Sequence, residues 1–121
     1  MYEARRNGGN RMKAVVVNSE AMGNGDPELG RTLILKFLNS LRRSETKPDV
    51  ILFYNTGVRV LCQPGAVLEA LQDLQASGVE LIACGTCVSY FQLQDRILVG
   101  RVSNMDEIVA TLMKADSVVT I

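Results

Sequence analysis

The stretch Val79-Glu80-Leu81-Ile82-Ala83-Cys84-Gly85-Thr86-Cys87 decides the fold. Its first five residues are apolar except for Glu80, the pattern of a strand covered on both faces. The next residues are small and polar, and a short helical pattern follows from about Cys87 to Gln94. A strand that feeds a helix in this way is half of a β–α–β unit, and the alternation continues in both directions. Upstream lie two nearly all-apolar runs, Ala14-Val15-Val16-Val17 and Val50-Ile51-Leu52-Phe53-Tyr54. Downstream, Ile97-Leu98-Val99 and Ser117-Val118-Val119-Thr120-Ile121 complete a set of five predicted strands.

The segments between them repeat at helical spacing. Leu29, Leu33, Ile34, Phe37, Leu38 and Leu41 form one stripe, with Asp26 as N-cap and Pro27 at the first helical position, where its missing N–H costs nothing. Val67, Leu68, Leu71 and Leu74 form a second stripe, in a helix opening at Pro64 and stopping at Gly78. Met105, Ile108, Val109, Leu112 and Met113 form a third, with Ser103 and Asp106 as a capping pair. Strands alternating with helices imply right-handed crossovers. The predicted fold class is therefore α/β: a three-layer α/β/α domain with a five-stranded, mainly parallel sheet.

Composition narrows the chemistry. The 121 residues suit one domain over 12–121, preceded at 1–11 by a flexible leader or linker remnant that contains Asn-Gly-Gly-Asn. A hydrophobic fraction of 47% and a charged fraction of 21% fit a globular chain rather than a disordered one. Thirteen basic and thirteen acidic side chains cancel, which argues against nucleic-acid binding through bulk charge. The absence of histidine removes serine triads, Cys–His dyads within the chain and His-containing zinc sites. No window approaches the roughly 18 apolar residues of a membrane span. Three cysteines do not make a disulfide scaffold, so the reducing cytoplasm is the expected compartment.

In a parallel α/β sheet the site lies beyond the C-terminal strand ends. Those ends read Asn18-Ser19-Glu20, Asn55-Thr56-Gly57, Cys84-Gly85-Thr86-Cys87 and Ser103-Asn104. One rim thus gathers small polar groups and two thiols, whereas the opposite rim receives ordinary turns such as Lys47-Pro48-Asp49. At a strand-to-helix junction the unpaired N–H groups and the helix dipole favour a thiolate. Three chemistries compete for Cys84 and Cys87: a zinc site, thioredoxin-type dithiol exchange, and sulfur or selenium relay. Zinc is short of ligands, because the chain has three cysteines and no histidine. The bland alternative is a pair of buried, inert thiols. Cys62 reads as a packed loop cysteine, and Arg59 and Arg101 read as solvated side chains that follow strands near the rim. The loop Ala21–Gly30 lacks the Gly-Lys-Ser/Thr of a P-loop and carries acidic residues, so it reads as a lid or a contact loop.

Glu28-Leu29-Gly30, Phe53-Tyr54-Asn55-Thr56-Gly57-Val58, the Val79–Cys87 segment with its preceding Gly78, and Val99-Gly100-Arg101-Val102-Ser103-Asn104-Met105-Asp106-Glu107-Ile108 together resemble the DsrE/DsrF-like family. Within it, the resemblance is to the C-terminal domain of YedF-type selenium-metabolism proteins. It implies a DsrEFH-like fold, a tendency to form homo- or hetero-oligomers, with a homo-oligomer expected here, and sulfur-relay chemistry of the sulfurtransferase type. A cysteine after the central strand would accept persulfide from a donor or acceptor protein such as a TusA-like carrier. Cys84 matches that carrier cysteine and Cys87 the second, resolving cysteine, with Asn18, Ser19, Asn55, Thr56, Gly85, Thr86 and Asn104 shaping the site. No cofactor, metal, nucleic acid or membrane is implied. The alternatives are a non-catalytic ligand-binding or assembly subunit and a Cys-x-x-Cys redox switch.

Overall fold

Four consecutive apolar residues, Val50–Phe53, form β2, the central strand of the sheet, and all four are buried. In the computed structural model, which describes residues 11–121, the elements follow in the order β1 (Lys13–Val17), α1 (Pro27–Arg43), β2, a 3₁₀ segment (Asn55–Cys62), α2 (Ala66–Ala76), β3 (Glu80–Cys84), α3 (Gly85–Tyr90), β4 (Arg101–Ser103), α4 (Met105–Lys114) and β5 (Ser117–Thr120). The expected leader lies, apart from Arg11, outside the described residues. The sheet order is β4-β3-β2-β1-β5 and every neighbouring pair is parallel. The α/β class and the number of strands are as predicted.

From β1 to β4 the chain steps across the sheet in one direction, and from β4 to β5 it returns. Right-handed crossovers then place α1 and α2 on one face and α4 on the other. The alternating side chains of the strands build one core on each face. Val15, Val17, Ile51, Phe53, Leu81 and Ala83 pack under Ile34 and Leu38 of α1, Leu71 and Leu74 of α2, and Val58 and Leu61 of the 3₁₀ segment. Met12, Ala14, Val16, Val50, Leu52, Ile82 and Cys84 pack on the other face against Ile108 of α4. Burial of each large side chain stabilises the fold by about 1.5–3 kcal/mol.

Local details differ from the predicted ones for identifiable reasons. The fourth strand is Arg101–Ser103, not Ile97–Val99. Val99 closes the first core, and the amide of Leu98 donates to the Leu61 carbonyl instead of to a ladder. Gly100, at φ 81°, turns the chain so that pairing with β3 begins only at Arg101. A Cβ there would stand 2.8 Å from the Leu81 carbonyl oxygen. Helix α3 begins two residues before Cys87 and ends at Tyr90, short of Gln94. Gln92 takes the left-handed conformation at φ 58°, and Leu93 N–H bonds back to the Val88 carbonyl at 2.8 Å, closing a Schellman turn. Helix α2 opens at Ala66 rather than Pro64, after Gly65.

Helix α1 keeps its predicted cap, the Asp26 carboxylate accepting from Leu29 N–H at 2.9 Å. Its buried stripe, however, is Gly30, Ile34 and Leu38, while Leu29 and Leu33 face outward. In α4 the cap is Asn104, not Ser103. Its side chain accepts from Glu107 N–H at 2.9 Å. The inward stripe of α4 is Glu107, Ile108 and Thr111, which leaves Met105, Val109 and Met113 exposed. Ile108 and Leu112 do face the core as predicted, and polar pairing explains why Glu107 joins them there. Both carboxylate oxygens of Glu107 accept from Arg101, at 2.9 and 2.6 Å, and the carboxylate also takes the Ser103 hydroxyl. A carboxylate with all of these partners tolerates burial.

Candidate functional site

The exits of β2 and β3 are neighbours, because Phe53 pairs with Ala83 and the next residue of each strand leaves the sheet. There the chain places its two thiols at different depths. Cys84 is the last residue of β3 and the N-cap of α3, and it is only 1% exposed. Its side chain belongs to the α4-side core with Leu52 and Ile82. Cys87, in the first turn of α3, is half-buried and packs against both cores. It lines a cleft of about 390 Å³ with Asn55, Thr86, Tyr90 and Phe91. Cys84 does not line it. The sulfur that meets the cleft is therefore that of Cys87, opposite in order to the expectation of Cys84 as the presented carrier.

The partner of the Cys87 sulfur is also not the one expected. Asn55, just after β2, adopts φ 51°, a left-handed conformation uncommon for a residue with a side chain. This conformation accompanies a backbone N–H aimed at Cys87 Sγ at 3.0 Å. The donor to the sulfur thus comes from a neighbouring strand end rather than from the helix that carries the thiol. Burial pushes the Cys87 thiol above its ordinary pKa. The Asn55 N–H works against that rise, and hydrogen bonding and like charge from the adjacent Cys84 add to it. Against the expectation of a favoured thiolate, burial outweighs the donor at Cys87, and the Asn55 N–H stands in place for the charge that develops when the thiol ionises.

Gly85 brings α3 tight against β4, since a Cβ on it would stand 2.6 Å from the Ser103 carbonyl oxygen. Thr86 is exposed at the cleft mouth. Several predicted site residues serve as supports. Thr56 Oγ1 accepts from Glu20 N–H at 3.2 Å and Ser19 Oγ from Ala21 N–H at 3.1 Å, which shapes the loop after β1. Neither residue, nor Asn18, lines the cleft. Asn104 is the α4 cap described above.

Arg59 and Arg101, expected as solvated, are engaged. Arg101 holds Glu107 and Glu80. Arg59 donates to Glu20 at 2.9 Å and stacks over the Phe91 ring, 4.3 Å from its centroid. This contact fixes one wall of the cleft, and Tyr90, edge-on to Phe91 at 5.2 Å, stands 80% exposed beside it. Tyr90 and Phe91 are the cleft residues that the sequence reading passed over. Their signal was spacing: three and four residues after Cys87, they share its helix face. Cys62 stays apart, its thiol donating to the Val58 carbonyl at 3.7 Å, with burial pushing its pKa up. Among the described residues no three His, Cys, Asp or Glu side chains gather to hold a metal ion, and no helix is long and apolar enough to cross a membrane.

A parallel five-stranded sheet with a cysteine pair at its carboxyl rim defines a small α/β domain with two thiols at the β2–β3 exits. The profile of the DsrE/DsrF-like family matches residues 12–121, and the chain belongs to that family. Solved structures share the fold. The ychN protein of E. coli superposes with a TM-score of 0.71 at 20% identity, over 93% of this chain and 100% of its own. MTH1491 from Methanobacterium thermoautotrophicum, a protein of unknown function, gives 0.66 at 18% identity over 93% and 100%. BT1422 from Bacteroides thetaiotaomicron, a conserved protein of unknown function, gives 0.63 at 20% identity over 90% and 94%. No curated protein matches the sequence.

Proposed function

We propose that this protein carries sulfane sulfur on its cysteine pair, with Cys87 as the thiol presented to a donor and Cys84 as the thiol held behind it. The observation that carries the reading is the Cys87 sulfur, open to the cleft and met at 3.0 Å by the Asn55 N–H. A thiol whose pKa is raised becomes a strong nucleophile once it ionises. The Asn55 N–H then stabilises the thiolate and shares its charge. Thr86 and the exposed Tyr90 flank the opening, which suits a donor that delivers sulfur on a chain end or a loop. Membership of the DsrE/DsrF-like family supports the same chemistry. A thiol-bearing carrier protein of the TusA-like type is the proposed partner, and selenium delivered in the same oxidation state is the proposed alternative cargo.

The protein is further proposed to work as a homo-oligomer. Met105, Val109 and Met113 on α4 and Val118 on β5 lie uncovered on one side of the sheet, where a second copy would shield them. The test of the relay reading is intact-mass and peptide mapping after exposure of the reduced protein to a small-molecule persulfide. One added sulfur on Cys87, retained in Cys62→Ala and lost in Cys87→Ser, is the expected result. Sulfur only on Cys62, or on no cysteine, would sink the reading.

A further inference from the structure

The two sulfurs are adjacent, but they face different surroundings. Cys84 is buried in the α4-side core against which Cys87 packs, while Cys87 also lines the cleft and Cys84 does not. An extra sulfur bonded to Cys87 has the cleft to extend into, while Cys84 belongs to the core against which Cys87 packs. Displacement by Cys84 at the inner sulfur of such a persulfide would leave the outer sulfur at the cleft.

We infer from this arrangement a further activity: the cysteine pair discharges bound sulfane sulfur as sulfide, by closing a Cys84–Cys87 disulfide. The inference rests on the relay reading above, because it starts from a persulfide on Cys87. In the loading step the Cys87 thiolate attacks the outer sulfur of a donor persulfide, and the donor leaves as its thiolate. In the discharge step the Cys84 thiol attacks the inner sulfur of the ionised persulfide, and its proton passes to the departing outer sulfur. A Cys84–Cys87 S–S bond forms, the bond to the outer sulfur breaks, and hydrosulfide leaves with that electron pair. The two cysteines together lose two electrons and the sulfane sulfur gains them, so the persulfide is its own oxidant. An external dithiol returns the pair to its reduced form and takes up the oxidation.

The competing outcome is attack of Cys84 on the outer sulfur, which would move the persulfide inward and expel Cys87 as thiolate. Two features disfavour it. The weaker base leaves faster in such exchanges, and burial has made Cys87 the stronger base. Hydrosulfide also departs into an open cleft, whereas a persulfide on Cys84 would have to fit into a close-packed core.

The experiment uses the full chain, reduced and kept free of air, and exposed briefly to glutathione persulfide. The donor is removed by desalting, and free sulfide and intact mass are followed with time. The wild type is expected to release close to one sulfide per chain and to end two hydrogens lighter than the reduced protein. Peptide mapping should find a Cys84–Cys87 bond that dithiothreitol reverses. Cys84→Ser and Cys84→Ala are expected to keep the added sulfur on Cys87 and to release sulfide at least about tenfold more slowly, their resolving thiol being gone. A wild type that keeps its added sulfur as long as these variants do would overturn the discharge step and leave the relay reading standing. Variants that fold yet take up no sulfur on Cys87 would overturn the relay reading itself. Should both variants fail to fold, the wild-type map decides alone, and absence of the Cys84–Cys87 bond after loading would refute the inference.

Discussion

At the scale of single residues, the site depends on a backbone conformation as much as on a thiol. Asn55 holds a positive φ while its N–H meets the Cys87 sulfur. A β-branched side chain is the worst substitute in that region. Asn55→Val should cost about 1–2 kcal/mol in a urea melt and weaken the donor to the sulfur, while Asn55→Gly keeps both. The Cys87 thiol, raised chiefly by burial, is expected to alkylate with iodoacetamide along a pH profile displaced upward from that of a free cysteine. Because the adjacent Cys84 contributes to that rise, Cys84→Ala should shift the profile back down and speed labelling near neutral pH. A profile unchanged by the substitution would mean that the two sulfurs do not sense each other. The Cys-x-x-Cys pair was legible in the sequence because the spacing joins a strand end to a helix start. Which thiol meets the cleft was not, because that depends on the direction Cys84 takes as the last side chain of an alternating strand. Nor was Asn55 legible as a backbone donor, since a side-chain pattern says nothing about where an N–H points.

At the scale of elements, the strand–helix alternation was readable because β-branched apolar runs and 3.6-residue stripes are strong signals. The edge strand was not. Between α3 and α4 the most apolar triplet, Ile97-Leu98-Val99, serves the core as coil, while the ladder is taken by Arg101-Val102-Ser103. An edge strand is half-exposed and carries polar residues, so hydrophobicity ranks the two segments in the wrong order. The α4 face was misread in part for a related reason: a buried carboxylate with partners joins the apolar stripe. Two hydrogen bonds from Arg101, opposed by burial and helped by the Ser103 hydroxyl, hold the Glu107 carboxyl down at about 2. A folded-state pKa below the unfolded one gives stability that is complete above about 4.5 and fades as pH falls toward 2. Acid titration of the unfolding free energy should therefore show a loss of about 2 kcal/mol across that window, the guanidinium being half in water. Glu107→Gln should remove this part of the slope. An identical slope in the variant would place the acid sensitivity elsewhere.

At the scale of the whole molecule, the two faces of the sheet are unequally covered. Among the described residues, two helices and the 3₁₀ segment close the first core, whereas α4 is the one helix over the second and turns Val109 and Met113 outward. A single Met113→Lys substitution, at a side chain 80% exposed, should leave monomer stability within about 0.5 kcal/mol. On the homo-oligomer proposal it should lower the mass measured by light scattering, and an unchanged mass would move the subunit contact off this face. The order β4-β3-β2-β1-β5 has one more consequence. Among the described residues β5 is hydrogen-bonded along one side only and all four of its residues are exposed, while β2 is flanked on both sides and wholly buried. Backbone amides should accordingly take up deuterium earliest in β5 and latest in β2. The thiol rim, anchored at the exits of β2 and β3, stands at the slow end of that gradient, so the outermost strand can fray without loosening the ground on which the sulfur stands.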